Sequence, residues 1–378
     1  MKTSDKSILW GVLLFTMFVF ASCGSKSHDA TSEEGDTLQL KYSSLLHIVK
    51  YPDFIYVTID NPWSKGSVLH RYVLVKKTDS LPSHLPQGTI IRTPVERAVV
   101  FTSAHCQLMS WLRAEGRLAG VADLKYILLD YVKKGVESGR IADCGDGMNP
   151  VVEKIIDIKP DLLMVSPFEN SGGYGRLEDI DIPLLECADY MENSALARAE
   201  WMKFYGLLFN KSQEADSLFA TVDSTYHALR EMANRTTHKT SLLTEKLTGG
   251  TWYVPGGEST VGKLIADAGG TYAWENDTHS GSLAMTFETV LDKAGDSDVW
   301  LFNYYGSGLL TYDKLASEHE GYRQIKAFKT RSAWYVDTQH VPYFEEVSFH
   351  PDYLLREYIV LLHPELGLGL PKYYVPVN

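Results

Sequence analysis

Apolar positions along the chain fall into three textures. Residues 8–20 form one unbroken apolar run. Between 37 and 93, stretches such as Phe54-Ile55-Tyr56-Val57-Thr58-Ile59 and Tyr72-Val73-Leu74-Val75 are separated by Asn61-Pro62 and Lys65-Gly66, which predicts strand, turn, strand. From Arg97 onward, short apolar runs alternate with helical patterns. Residues 98–101, 162–165, 242–243, 299–302 and 334–336 are bounded by polar or turn residues, as strands of a parallel sheet covered on both faces must be.

The intervening helices have readable starts. Asn149-Pro150 places a capping side chain before a proline, with Val151, Val152, Ile155 and Ile156 as the stripe to be buried. Thr286 stands in the same way before Phe287-Glu288-Thr289-Val290-Leu291. The longest helical stretch runs from 195 to 234, with a break at Asn210-Lys211-Ser212. Leu218, Val222, Tyr226 and Leu229 lie on one face of its second part. With βα segments on either side, it reads as a connector between two α/β lobes.

The first run decides the compartment. Lys2 and Lys6 precede 13 apolar residues, Ile8 to Phe20, too few for the roughly 20 that cross a bilayer core. A basic start, a short apolar run and small residues describe an export signal over 1–22. Phe20-Ala21-Ser22-Cys23 resembles the lipobox of bacterial lipoproteins, which makes Cys23 the lipidation site and places the protein in the periplasm on a lipid anchor. Residues 23–36 read as a flexible polar tether. Cys106, Cys144 and Cys187 remain, an odd number that allows at most one bridge. Cys106, at helical spacing from Leu108 and Leu112, reads as a buried apolar residue.

Composition narrows the function. At 378 residues, 44% hydrophobic and 22% charged, the chain can bury a two-lobed core. Its net charge of -12 excludes a basic nucleic-acid-binding face. Removing Lys2, Lys6 and Asp5 with the signal makes the remainder one charge more negative. There is no GxxxxGK[ST], no GxGxxG opening a helix after a strand, no GxSxG and no HExxH, so the chain is not read as an enzyme. Ser103 and His105 suggest a nucleophile and base, but no third orienting group is evident. The 12 histidines form no close pair, and no resident metal site is expected. Aromatic residues crowd the loops after strands, at Trp252-Tyr253, Tyr304-Tyr305 and Tyr343-Phe344, where open α/β sheets bind ligands. Their flat faces and polar tips suit a large, rigid, partly polar ligand.

Gly147-Met148-Asn149-Pro150-Val151-Val152-Glu153-Lys154-Ile155-Ile156-Asp157-Ile158-Lys159-Pro160-Asp161-Leu162-Leu163 resembles the N-x-E-x-I-x-x-x-x-P-D-L-V segment of periplasmic binding proteins that serve ABC importers of iron-siderophores, haem and cobalamin. Arg97 to Val121, Gly262 to Gly270 with Phe287 to Val290, and His350 to Leu354 with His363-Pro364 resemble further stretches of that family in order. Asn61-Pro62-Trp63 and Arg71 to Val75 resemble an N-terminal extension of Bacteroidetes members.

The resemblance implies a class III, chelatase-like fold, in which two α/β lobes joined by a single long helix hold ligand in the cleft between them. Here it would follow a β-rich extension over 37–93, with a first lobe at 94–194, connecting helices at 195–236 and a second lobe at 237–378. It implies a monomer that hands its cargo to an ABC permease and its ATPase, with Glu153 and Glu288 docking on the permease. The cargo would be an iron siderophore or haem, alternatively cobalamin or another corrinoid. A scavenging binder without a permease and a cleft enzyme are further readings. By position after the strands, the ligand-binding residues are Ser103, His105, Tyr126, Phe168, Trp252, Tyr253, Tyr304, Tyr343 and Phe344, with Arg176 and Arg331 unplaced and His105 or a cleft tyrosine a candidate axial ligand for haem.

Overall fold

Five strands open the folded chain: β1 (Asp36–Thr37), β2 (Leu46–Lys50), β3 (Ile55–Asp60), β4 (Val68–Lys76) and β5 (Thr89–Thr93). The computed structural model describes residues 35–169 and 173–378; the signal sequence, Cys23 and all but the end of the tether lie outside them. Asp36 itself pairs with Lys50, so ordered backbone begins inside the segment read as tether. The strands make one sheet in chain order, antiparallel except for the parallel β4–β5 pair. Ile48, Val57, Ile59, Tyr72 and Leu74 are buried in it.

The first lobe alternates β6 (Ala98–Val100), α1 (Ser103–Trp111), β7 (Leu118–Val121), α2 (Asp130–Glu137), β8 (Ala142–Asp143), a small ribbon of β9 (Gly145–Asp146) and β10 (Asn149–Pro150), α3 (Val152–Ile158), β11 (Leu162–Val165) and β12 (Leu184–Glu186). Its sheet has the order β12-β11-β6-β7-β8 and is parallel throughout. Every residue of β6, β7 and β11 is buried, which is why they read as continuous apolar runs. Asn149 and Pro150 do not cap a helix. They pair with Asp146 and Gly145 across the ribbon, and α3 begins two residues later without a side-chain cap; the ladder has taken the backbone that a cap would need.

Three connecting helices follow: α4 (Ala195–Glu200), α5 (Met202–Phe209) and α6 (Ser212–Asn234). Asn210 takes the left-handed conformation, φ 55°, and ends α5. The 23-residue α6 joins the lobes, burying Ala215, Phe219, Val222, Tyr226, Leu229 and Ala233 along one stripe.

The second lobe contains β13 (Ser241–Thr244), β14 (Leu247–Thr248), β15 (Thr251–Pro255), α7 (Thr260–Asp267), β16 (Thr271–Tyr272), β17 (Ser282–Met285), α8 (Phe287–Ala294), β18 (Val299–Tyr304), α9 (Tyr312–Glu318), α10 (Lys326–Lys329), β19 (Ala333–Asp337), α11 (Tyr343–Val347), α12 (Pro351–Leu362) and β20 (Val375–Pro376). Its main sheet runs β16-β13-β18-β19-β20, parallel but for β20. β14, β15 and β17 form a separate antiparallel sheet. Thr286 caps α8 through the Thr289 amide at 3.2 Å. The architecture is two α/β lobes joined by one long helix, preceded by a β sheet. Among the described residues no helix is long and apolar enough to cross a membrane.

Candidate functional site

Strand order locates the site. In the first sheet the order reverses between β6 and β11, and in the second between β13 and β18; ligands of open α/β sheets bind beyond the carboxyl ends of strands at such reversals. Residues just past those ends face one another across the interlobe cleft. On the first lobe a cavity of about 530 Å³ is lined by Phe101, Pro167, Phe168, Tyr174, Arg176 and Tyr190 among others. Tyr190 also lines a second cavity, of about 270 Å³, with Arg198, Glu245, Asn303, Tyr343 and Phe344. Glu245 and Asn303 continue into a third, of about 480 Å³, that includes Tyr253. The three make one groove from lobe to lobe.

Aromatic side chains dominate the first-lobe end. Tyr174 donates its hydroxyl to Glu186 Oε1 at 2.9 Å, and Tyr190 donates to the Pro167 carbonyl. These bonds fix the phenol tips of two residues that line the cavity. Tyr126 and Tyr305 meet edge to face between the lobes, centroids 6.5 Å apart. The Leu128 amide donates to Glu345 Oε1 at 3.1 Å, a direct bond from first lobe to second.

The second-lobe end is polar. Glu245 directly follows β13 with φ 60°. Its amide donates to the Leu301 carbonyl at 2.8 Å, and its own carbonyl accepts Trp300 Nε1 at 2.7 Å. Burial pushes its carboxyl up to about 7, against the opposing pull of Asn303 and Lys246.

Several expected ligand residues lie in this groove: Phe168, Tyr253, Tyr343 and Phe344 line it, while Tyr126 lines none of the three cavities and is exposed against Tyr305. Four more do not. Trp252 is 0% exposed, donates Nε1 to the Thr244 carbonyl at 2.9 Å and packs on Trp300 and Tyr322; β15 turns it into the lobe core and its neighbour Tyr253 out. Tyr304 is buried against Tyr335, its hydroxyl taken by Lys314 Nζ at 2.6 Å. Ser103 opens α1 but lines none of the three cavities. His105 is buried with both ring nitrogens engaged: Nδ1 with Thr102, and Nε2 with Asp189 Oδ1 at 3.0 Å and Tyr205 Oη at 2.9 Å. Burial opposes its charge, but the adjoining Cys187 and Asp189 outweigh that and raise it to about 10. Asp189 falls to about 2: burial pulls upward, and His105, Arg198 and Tyr205 overcome it. His105 is thus a structural cation, not an axial ligand. Arg331 stacks on Tyr312 at 4.3 Å, and Arg176 lines the first-lobe cavity.

Phe101, Tyr174, Tyr190, Arg198, Glu245 and Asn303 were not singled out by sequence. Phe101 and Glu245 directly follow the observed β6 and β13; the apolar runs 98–101 and 242–243 include Phe101 in its strand and end the other at Leu243, so position just after a strand is the signal that could have found them. Of the two expected docking carboxylates, Glu288 is exposed in the first turn of α8 with no ion pair among the described residues. Glu153 is exposed in the first turn of α3 and accepts from Arg176 at 2.7 Å, which lowers its pKa. The three remaining cysteines are free and buried.

Comparison with known proteins gives a consistent picture. The family model described as periplasmic binding protein matches residues 99–339. An uncharacterized lipoprotein of Methanocaldococcus jannaschii is 25% identical over 368 residues, covering 91% of this chain and 86% of its own. Among solved structures, an ABC transporter substrate-binding protein from Listeria monocytogenes aligns at 18% identity and TM-score 0.54, covering 71% of this chain and 99% of that one. A periplasmic heme-binding protein from Pseudomonas aeruginosa aligns at 13% and 0.56, covering 75% and 98%. At such identities the structural likeness establishes the fold.

Proposed function

The chain belongs to the periplasmic binding protein family, and we propose that it is the lipid-anchored substrate-binding component of an ABC importer, capturing an iron complex between its lobes. The observation that carries this reading is the groove itself, which joins the carboxyl ends of both parallel sheets and presents aromatic faces on a rigid frame. Such a surface takes up a large, rigid ligand by apolar contact and a few polar bonds. The names of the heme-binding and substrate-binding structural neighbours agree in class. A corrinoid is the second reading, favoured by the aromatic lining; with His105 buried, haem would have to take its axial ligand from a groove tyrosine.

Delivery would use Glu153 and Glu288, one on each lobe in a helix first turn, where a carboxylate is favoured by the helix dipole. An absorption spectrum of the full chain purified from its native host tests the cargo, because siderophore, haem and corrinoid bands differ; a colourless protein that takes up none of the three on incubation refutes the chelate reading. Uptake by cells carrying Glu153→Lys with Glu288→Lys tests delivery. Transport should stop while ligand affinity holds, and surviving transport removes both residues from the docking role.

A further inference from the structure

The second-lobe end of the groove carries hydrogen-bond acceptors that nothing in the chain satisfies. Asn303 Nδ2 is directed at Glu245 Oε1, 3.3 Å away, and Asn303 Oδ1 has no partner. The hydroxyl of Thr244, a residue 3% exposed that lines the same cavity, also has none. Buried side-chain polar atoms in folded proteins are paired in the large majority of cases, so two orphans beside one carboxylate call for a partner.

Backbone geometry holds the group in place. A left-handed φ at a glutamate is uncommon and costs on the order of 1 kcal/mol or more. Here the Glu245 backbone is held on both sides, its amide donating to the Leu301 carbonyl and its carbonyl accepting from the Trp300 indole. Lys246 is engaged by Glu318, and no cation among the described residues forms an ion pair with Glu245. The hydroxyls of Tyr272, Tyr343, Tyr358 and Tyr374 near Glu245 are kept protonated by burial, and Arg198, which lines the same cavity with Tyr190, is paired with Asp189.

We infer that Glu245, Asn303 and Thr244 form a subsite, at the strand-order reversal of the second lobe, that accepts N–H donors of the ligand, either an ammonium or an edge of primary amides. The inference rests on the groove being the ligand site and specifies what the ligand must present there. An ionised Glu245 and the Asn303 carbonyl oxygen can only accept, whereas the Thr244 hydroxyl can do either, so a ligand edge bearing carboxylates would meet repulsion at Glu245 and leave Asn303 Oδ1 unpaired.

Isothermal titration of the full chain with three probes tests this: ferrioxamine B, with a pendant ammonium; cyanocobalamin, with a rim of primary amides; and haemin, with carboxylates. The wild type should prefer a donor-bearing probe, and Glu245→Ala should weaken that probe by about tenfold to a hundredfold, the worth of a charge-assisted hydrogen bond. Glu245→Gln separates the sources, because it retains an acceptor for amides and loses the charge an ammonium needs. Unchanged affinity in Glu245→Ala, or tightest binding to haemin, overturns the subsite. If the wild type binds none of the three, the cargo reading fails, and the subsite is decided without it. In that arm the Glu245 carboxyl is titrated by carbon NMR in ethylammonium and in tetramethylammonium at matched ionic strength. Ethylammonium alone should lower its pKa; equal behaviour in both salts, only one of which has N–H groups, rejects the subsite.

Discussion

Removing the Glu200 side chain should loosen the N-terminal sheet from the connecting helices. Glu200 is completely buried, and its carboxylate accepts three consecutive backbone amides of the segment leading into β2, from Lys41 at 2.9 Å, Tyr42 at 2.7 Å and Ser43 at 3.1 Å. Lys203 Nζ adds a fourth bond at 2.9 Å. Glu192 takes the next two amides, of Ser44 and Leu45, at 3.0 and 3.1 Å, together with Trp201 Nε1 at 2.8 Å. Five successive amides are thus held by two carboxylates. A hydrogen bond to a charged group contributes about 1.5–3 kcal/mol, and neighbouring bonds to one group are not additive. We therefore expect Glu200→Ala to cost about 3 kcal/mol, a fall in Tm of about 4 °C for a chain of this size. Glu200→Gln, which keeps one acceptor oxygen, should cost about half as much. Burial pulls the Glu200 pKa upward, but the amides and Lys203 overcome it and hold it below the ordinary value. A depressed carboxylate stabilises above its unfolded pKa and ceases to as pH falls through the folded one. The gap between wild type and Glu200→Gln should therefore be full at neutral pH and close in acid below about pH 4. Calorimetry and limited proteolysis at 38–46 provide the measurements. A Tm within 1 °C of wild type and an unchanged cleavage rate would refute the clamp.

Three further outcomes follow from the same geometry. His105→Gln leaves Asp189 buried with one cation fewer and should cost about 3 kcal/mol in denaturant unfolding at pH 6. Because the His105 pKa is raised, its contribution is complete below about 6.5 and lost as pH climbs toward about 10, so the mutant and wild-type curves should converge in base. Gly257→Ala directs a methyl group at the Trp274, Glu275 and Asp277 carbonyls, 2.5–2.6 Å from its Cβ, and should cost at least about 3 kcal/mol because backbone cannot step aside; a soluble variant with unaltered Tm contradicts the packing. Arg176→Ala removes an exposed ion pair with Glu153, so Tm should stay put while affinity for the permease in detergent rises. Unaltered or weaker permease binding would show that the pair does not compete with docking.

Strands buried on both faces were legible because no polar residue interrupts them, as in those beginning at Ala98 and Leu162 and in the first four residues of the one beginning at Val299. The connector was legible from a single stripe that α6 buries from Ala215 to Ala233. Trp252 was misplaced because the flanking glycines give its segment the texture of a loop. The alternation Trp252 in, Tyr253 out, Val254 in is nonetheless the period-two pattern of a half-covered strand. Asn149-Pro150 carries a sound capping signal, overridden by pairing with Gly145 and Asp146. The position of Glu245 after a strand was legible but its burial was not, since the tyrosines around it arrive with α11, α12 and the last ten residues.

Rigidity gives that glutamate its weight. A continuous helix between lobes offers few torsions for a hinge. The amide clamp on Glu192 and Glu200 fastens the N-terminal sheet to the start of the connector, and the Leu128 to Glu345 bond ties the lobes directly. Glu345 is 3% exposed, with burial raising its pKa, so separating the lobes would uncover a group already arranged for contact. A cleft held in this way cannot assemble its recognition groups around an arriving ligand. Selectivity has to reside in groups oriented beforehand, and the unpaired oxygens of Thr244 and Asn303 beside a Glu245 whose backbone is held by Leu301 and Trp300 are groups of that kind.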